Sequence, residues 1–541
     1  MQLIQDFDAI IVGGGICGTG IARDLALRGI RIALFEKRDL AEGTTGRCHG
    51  LLHSGARYVS TDPEVAKECA QENLILRRTA AHIIDSVGGY FVGITDEDLN
   101  YGKKFPEMCQ NAGVDIEEIP IKEFLQHEPN CNPNIRKVFR TNDAYVDPFL
   151  LTLYNALDAK NHGAEIHTYS KVEHLILTEK EIVGIRVHDL LSDEFFNVYA
   201  KWIINATGPW ASILERDIKP EHPLEIAPTR GTLLIFKNRL VSSVINRLQP
   251  PSTGDIIVPS HQSVIVGTNA IPIPDRELDQ PKVTYEEIDT LQHLGEELIP
   301  VLKSTRLIRY YTGVRPLIKR KESPYTSSRQ FSIIDYSSEG FSGLITVFGG
   351  KLTTYRLIAE KVGDLICQKL GNYKPCLTKE KLLPGADSPF TKEELQKLFQ
   401  VDPRHAADLS LKWGSFIQEM GELCAKCLDT AIVDTQSKIV CECEQVSESE
   451  LAWVRENLFV KKIDDYRRRT RQGMGVCQGQ FCYFKVAELE LLWSQKSHTK
   501  IMEELKEALE KRWKTEDLVD EAQRRQIKLA KYMYILGGNL S

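Results

Sequence analysis

The chain has 541 residues, 42% of them hydrophobic and 26% charged, and a formal net charge of −7. That length exceeds one compact core and predicts roughly three or four domains, while the acidic balance gives no reason to expect nucleic acid as the main partner. The 13 cysteines are spread without a small-domain disulfide framework and predict a reducing compartment. Met1–Asp8 is polar and leads straight into a strand, so no signal peptide is expected. No apolar run approaches the roughly 18–20 residues of a spanning helix, so membrane contact is expected only through a partner or the surface.

In chain order, Ala9–Val12 reads as a buried parallel strand. Gly13-Gly-Gly-Ile-Cys-Gly18 follows, then a helical stretch, then a second apolar run from Ile30 that ends at Glu36. This is the βαβ setting of a dinucleotide fingerprint, with its acidic residue about 20 positions on. Gly13, Gly15 and Gly18 let the backbone approach a pyrophosphate at the helix N-terminus, and Glu36 is placed to accept from ribose hydroxyls. Trp202–Asn205 is a further strand, closed by Ala206-Thr207-Gly208-Pro209-Trp210, a segment similar to one that flavoproteins set beside their dinucleotide. Gly343–Phe348 is another, running into Gly349-Gly350-Lys351 and a helix whose dipole favours negative charge on a reduced flavin. Taken in this order the three pieces favour FAD over NAD. Strands such as Gly231–Phe236 and Ser263–Gly267 predict a substrate-side sheet between them, and Pro384–Pro389 reads as a linker.

Toward the C-terminus, Cys441 and Cys443 form a C-x-C pair and Cys477 and Cys482 a C-x-x-x-x-C pair. Four thiolates are a ligand set for an iron–sulfur cluster. Gly473, Gly475 and Gly479 keep the second loop slim, and Arg467, Arg468, Arg469 and Arg471 are placed to offset cluster charge. Two other readings stay open: Cys424 and Cys427 with Cys441 and Cys443 make a possible zinc quartet, and Cys424-x-x-Cys427 alone is a possible redox pair or two cysteines one helical turn apart. The charged tail, Ile501–Tyr534, has helical spacing and either packs on the body or docks a partner protein.

Several of these segments resemble the FAD-dependent glycerol-3-phosphate dehydrogenases: Gly43–Tyr58, Val146–Pro148, Asn205–Gly208, Gly313–Pro316 and Gly349–Arg356. Cys441–Glu444, Arg467–Arg471 and Gly473–Cys482 further resemble the large subunits of the anaerobic enzymes, whose C-terminal module is similar to bacterioferritin-associated ferredoxin. The resemblance implies oxidation of sn-glycerol 3-phosphate to dihydroxyacetone phosphate, with electrons passing through a 2Fe–2S cluster and companion subunits to a membrane quinone. It implies an α/β fold, a Rossmann-like FAD-binding domain with a mixed-sheet substrate domain (glutathione-reductase/D-amino-acid-oxidase-like), plus a small helical cysteine-cluster domain. The corresponding boundaries are 1–380, a linker and connector over 381–435, the cluster domain over 436–490 and a helical tail over 491–541.

For site residues it implies FAD contacts at Gly13, Gly15, Gly18, Glu36, Thr44, Thr45, His49, Ala206, Gly208, Gly349, Gly350, Lys351, Leu352 and Thr353. Cluster ligands are implied at Cys441, Cys443, Cys477 and Cys482. Such a site needs fixed cations for a phosphate dianion, and Arg57, Arg315 and Lys351 are expected there, with Arg230 a weaker fourth. His53 is expected either as general base or as a residue positioning the flavin; Asp147 and Thr268 are expected to order the pocket. The location implied is cytoplasmic, at the inner membrane face through a partner. An amine or 2-hydroxy-acid dehydrogenase with the same relay is the alternative enzyme, and a redox-sensing assembly protein the non-enzymatic one.

Overall fold

The computed structural model describes residues 6–179, 181–218, 226–318, 330–387, 390–399, 403–420, 438–513 and 521–537. Cys424 and Cys427 lie outside the described residues. At the centre is a parallel array in the order Glu165–Thr168, Ile32–Glu36, Phe7–Val12, Glu194–Asn205 and Leu344–Gly349. Its strands read as unbroken apolar runs because both faces are covered. Ala9, Ile11 and Leu34 point to helices Ile16–Leu27, Pro148–Asn161 and Tyr355–Leu370. Ile10, Val12 and Phe35 point the other way, onto the antiparallel extension Ser170–Thr178, Glu181–Asp189 and the first half of Glu194–Asn205.

A second, nine-stranded mixed sheet lies beside it. Its longest ladder pairs Ile226–Lys237 with Leu307–Ile318, setting Arg315 opposite Thr229 and Arg309 opposite Ile235. Leu234 and Phe236 bury against Ile288, Leu291 and Leu298 of helix Tyr285–Leu298. A three-stranded ribbon of Leu51–Leu52, Ala144–Val146 and Ile84–Asp85 joins the two sheets' territories.

The C-terminal segment is a strand pair, Ile439–Cys441 with Val446–Ser447, followed by helices Glu448–Asn457, Asp465–Thr470, Cys482–Trp493 and His498–Trp513. It is continuous with the body: one apolar core runs from Ile21 and Leu25 through Trp413 to Trp453, Tyr466 and Tyr483. Buried charge locks the same junction. Asp39, three residues past Glu36, is clasped by both Arg468 and Arg469, and Tyr169 donates to Asp465 at 2.6 Å. The arginine run expected to face the cysteines is thus already paired. Arg467 binds Asp464, Arg468 reaches Asp39, Asp464 and Asp465, and Arg471 binds Glu444. Desolvated guanidiniums demand such partners.

Candidate active site and cysteine cradle

A cavity of about 580 Å³ opens at the ends of the parallel strands. Gly13 and Gly15 form its floor, with Ala206 and Gly208 on one side and Gly349, Gly350 and Leu352 on another. Gly13 has φ +113°, and a Cβ there would sit 2.6 Å from the Ala206 carbonyl oxygen. Gly18 lies off the wall; a Cβ would collide with the Gly13 carbonyl, so its role is to let the helix close on the strand. The helix starts without a side-chain cap of its own at Gly15. Thr45 Oγ1 accepts the Ile16 N–H at 3.1 Å, and Thr44 Oγ1 donates to the Val314 carbonyl at 2.6 Å. Glu36 takes the Gly14 N–H on one oxygen at 2.7 Å and the Arg38 N–H on the other at 2.9 Å. Burial raises its pKa against those two amide bonds.

Arg57, Arg315 and Lys351 all line the same cavity. Arg57 is buried; Nη2 donates to Asp255 at 2.8 Å, while Nη1 has no hydrogen-bond partner. Burial opposes its charge, but Asp255 holds it protonated above its ordinary value. Arg315 donates to the Asn269 carbonyl at 3.0 Å and to Thr268 Oγ1 at 3.2 Å. Gly231 leaves room for it, since a Cβ there would lie 2.7 Å from Arg315 Nη1. Lys351 Nζ sits 3.9 Å from the Tyr58 ring centroid. Arg230 does not join them. It is absent from the wall and gives both arms to Glu287.

His49 and His53 both line the cavity, rings edge to face at 5.9 Å. His49 Nδ1 accepts the Leu51 N–H at 3.1 Å, which leaves Nε2 as the protonated nitrogen of the neutral ring. Burial, then the Arg57 and Arg315 charges, push its pKa down to about 3. A neutral ring held this way is a donor at Nε2. His53 is buried, its N–H given to Thr353 Oγ1 at 3.0 Å and its Nε2 3.4 Å from the Tyr58 hydroxyl. Thr353 thus stands behind the wall as a support. Asp147 is also away from the cavity; it caps helix Pro148–Asn161 by accepting from Phe149 and Leu150. Sequence reasoning missed Asp255, Asn269 and Tyr58, and the cysteines Cys17 and Cys48, which line the cavity as thiols that burial pushes up to about 12 and about 11. The glycine cradle, the two-faced Glu36 and the cavity cations, with Arg57 buried among them, fit a dinucleotide and an anionic partner.

The four C-terminal cysteines also meet. The neighbouring sulfurs push the pKa values of Cys441 and Cys477 down and those of Cys482 and Cys443 up. Backbone N–H groups of Gly473 and Glu444 approach Cys441, those of Gly479 and Phe481 approach Cys477, and Gln472 Nε2 donates to Cys482 Sγ at 3.1 Å. A Cβ at Gly475 would strike Cys443. Among the described residues no group of three or more such side chains is arranged for a single metal ion. A sulfide-bridged cluster spreads its ligands wider, and four thiols with amide donors fit that chemistry.

Residues 8–356 match the family described as FAD dependent oxidoreductase. The chain is 40% identical over 515 residues to the A-subunit of the anaerobic glycerol-3-phosphate dehydrogenase of Escherichia coli (strain K12), covering 94% of this chain and 92% of that one. It is 35% identical over 525 residues to the A1-subunit of the corresponding enzyme of Haloferax volcanii, covering 94% and 86%. Among solved structures, the glycerol-3-phosphate dehydrogenase of Bacillus halodurans complexed with FAD superposes with a TM-score of 0.66 at 23% identity, covering 96% of this chain and 93% of that one.

Proposed function

The chain belongs to the FAD-dependent oxidoreductases and, within them, to the large subunits of the anaerobic glycerol-3-phosphate dehydrogenases, and from that premise we propose that it oxidises sn-glycerol 3-phosphate to dihydroxyacetone phosphate. The observation that carries the reading is Arg57: a guanidinium buried in the wall of the dinucleotide cavity, with Nη1 unclaimed and Arg315 across from it. A buried unclaimed donor on a fixed charge calls for an anion, and its planar fork suits a phosphate.

FAD, held by Gly13, Gly15, Glu36, Thr44, Thr45, Ala206, Gly208, Gly349, Gly350 and Leu352, supplies the acceptor for the hydride that leaves C2. The protein's part is to hold the phosphate between Arg57 and Arg315 and so fix C2 in one orientation. Neutral His49 directs its Nε2–H into the same space and steadies developing charge on the substrate oxygen. His53 receives the hydroxyl proton, with Tyr58 orienting its ring and Lys351 close by as a positive charge. A 2Fe–2S cluster on Cys441, Cys443, Cys477 and Cys482 supplies a one-electron relay to companion subunits and a membrane quinone. Among the described residues no helix is long and apolar enough to cross a membrane; contact with the membrane, in this reading, runs through a partner at the cytoplasmic face.

The test is anaerobic addition of candidate substrates to the purified yellow chain. Glycerol 3-phosphate is expected to bleach the flavin band, whereas sarcosine, proline and 2-hydroxyglutarate leave it unchanged. Bleaching by one of the latter alone would replace this reading with an amine or 2-hydroxy-acid dehydrogenase, and bleaching by none would remove the enzyme reading.

A further inference from the structure

Of the cations around the cysteine cradle, most are spent on carboxylates, and two are not: Arg512, which is buried, and Arg309, which is half-buried. Arg309 comes from strand Leu307–Ile318 and Arg512 from the last turn of helix His498–Trp513. Neither makes an ion pair among the described residues. Their donors go to neutral oxygens around the cysteine loop instead. Arg512 Nη2 binds the Gly473 carbonyl at 2.8 Å and Gln478 Oε1 at 2.5 Å. Arg309 Nη1 reaches the Arg512 carbonyl at 2.8 Å and Gln478 Oε1 at 3.5 Å. Arg512 Nε is buried with no hydrogen-bond partner.

The nearest negative charge that both feel is Asp464. That carboxylate is already shared by Arg467, Arg468 and the Tyr483 hydroxyl. Burial and the neighbouring cations push Arg309 well below its ordinary pKa and Arg512 down to about 10. A buried cation with a half-buried one beside it is costly unless a negative group completes the pair. Gln478, bound by both arginines, lies between Cys477 and Gly479, so the thiolates of this loop are the negative group the pair is placed to meet.

We propose that Arg309 and Arg512, and not the Arg467–Arg471 run, are the counter-cations of the thiolate-bound cluster and set its reduction potential. The inference rests on the cluster reading given above. Each electron added to a thiolate-ligated cluster adds negative charge, and a fixed buried cation favours the reduced form. Arg309 belongs to the substrate-side sheet and Arg512 to the tail, so the relay is tuned by two segments outside its own loop.

The experiment uses the full-length holoprotein with FAD and iron measured per chain. Arg512→Gln and Arg309→Gln are expected to keep full iron, sulfide and flavin, yet each lowers the equilibrium constant for cluster reduction at least tenfold, about 59 mV for a one-electron couple. The flavin potential is expected to stay put, and Arg512→Lys and Arg309→Lys to recover most of the shift. Arg467→Gln, whose charge is spent on Asp464, is expected to move the cluster potential much less. Fully loaded Gln variants with unmoved cluster potentials would overturn the assignment, as would loss of iron from both, which marks a structural role. Wild-type protein that takes up no iron and sulfide on reconstitution would instead fell the cluster reading itself, and that outcome is read before any variant is made.

Discussion

Replacing Arg57 by Gln removes two things at once, and the structure allows them to be separated. Nη2 neutralises Asp255, which is 1–2% exposed and otherwise accepts from Ser252 at 2.8 Å and 3.4 Å. Breaking one side of such a pair costs about 3–5 kcal/mol, because a buried charge is left behind. Nη1, facing the cavity, is the arm assigned to the phosphate. Losing a charge-assisted contact in a desolvated site costs about 2–4 kcal/mol, which at about 1.4 kcal/mol per decade is roughly a 30- to 900-fold rise in KM. Arg57→Gln is therefore expected to lower both Tm and affinity. The double variant Arg57→Gln/Asp255→Asn removes both charges, so it is expected to regain most of the stability and none of the affinity. The measurements are thermal unfolding of the FAD-loaded chain and steady-state dye reduction with glycerol 3-phosphate, with inorganic phosphate as a competitor. Wild-type protein is expected to show phosphate competition and both variants to lose it. A double variant that recovered normal KM would refute the reasoning, because the only role left to Arg57 would be to hold Asp255.

His53→Asn is expected to lower kcat by about 10²- to 10⁴-fold with little change in KM and to abolish the fall in kcat/KM at low pH; full kcat per bound flavin, with flavin occupancy reduced, would assign His53 to positioning instead. Cys477→Ser is expected to leave bleaching by substrate intact and to stop transfer to the physiological acceptor; quinone-linked turnover that survived would exclude the cluster as the exit path. Asp39→Asn strips a shared carboxylate from buried Arg468 and Arg469 and is expected to cost about 3–5 kcal/mol of stability, seen as a lower Tm; an unchanged Tm would mean the C-terminal segment docks through its apolar core alone. Burial holds His82 down to about 4, so the unfolded chain, with a pKa of about 6.5, takes up a proton first as pH falls. Its contribution is present above pH ~6.5 and is lost toward pH ~4, about 2 kcal/mol by pH 5; His82→Gln is expected to flatten that limb of the stability–pH curve, and an unchanged slope would show that His82 does not titrate in this window.

What the sequence disclosed follows from how local each signal is. Gly13, Gly18 and Glu36 are legible because strand, turn, helix and acidic residue occupy one short stretch, and the physics of each is settled by near neighbours. The four cysteines are legible as a group because two close-spaced pairs need only one fold-back to share a loop, which the structure gives them. Partnerships across the chain are not. Arg57 meets Asp255 from 198 residues away, and Asp39 meets Arg468 from 429 residues away. Arg230 looked like a substrate cation, yet Glu287, which also closes the capping box of helix Tyr285–Leu298, takes both its arms. The Arg467–Arg471 run looked like a counter-charge for sulfur, yet burial had to supply carboxylates for it first. In each case residue type and spacing indicate that a charge is present, but only packing determines which group it meets.

Strand Leu307–Ile318 shows how the two chemistries come to share one scaffold. Residues at alternate positions face one side of a strand, and here that side carries Arg309, Tyr311, Gly313 and Arg315. Arg309 touches Gln478 in the cysteine loop, and Tyr311 donates to the Cys48 carbonyl at 2.8 Å. Gly313 lies against Arg47, where a Cβ would come within 2.8 Å of its carbonyl oxygen, and Arg315 enters the cavity wall. The segment from Arg47 to His49, whose Cys48 and His49 line the cavity, therefore rests on the middle of a strand that meets the cavity at Arg315 and the cysteine loop at Arg309. Six residues at about 3.3 Å each separate Arg309 from Arg315 along the backbone, roughly 20 Å. That register is fixed by the ladder to Ile226–Lys237, a pairing that runs nearly the whole strand. A one-residue slip would turn all four side chains to the opposite face, so the long antiparallel ladder, rather than any contact at either end, holds Arg315 in the cavity wall and Arg309 at the cysteine loop at a constant separation.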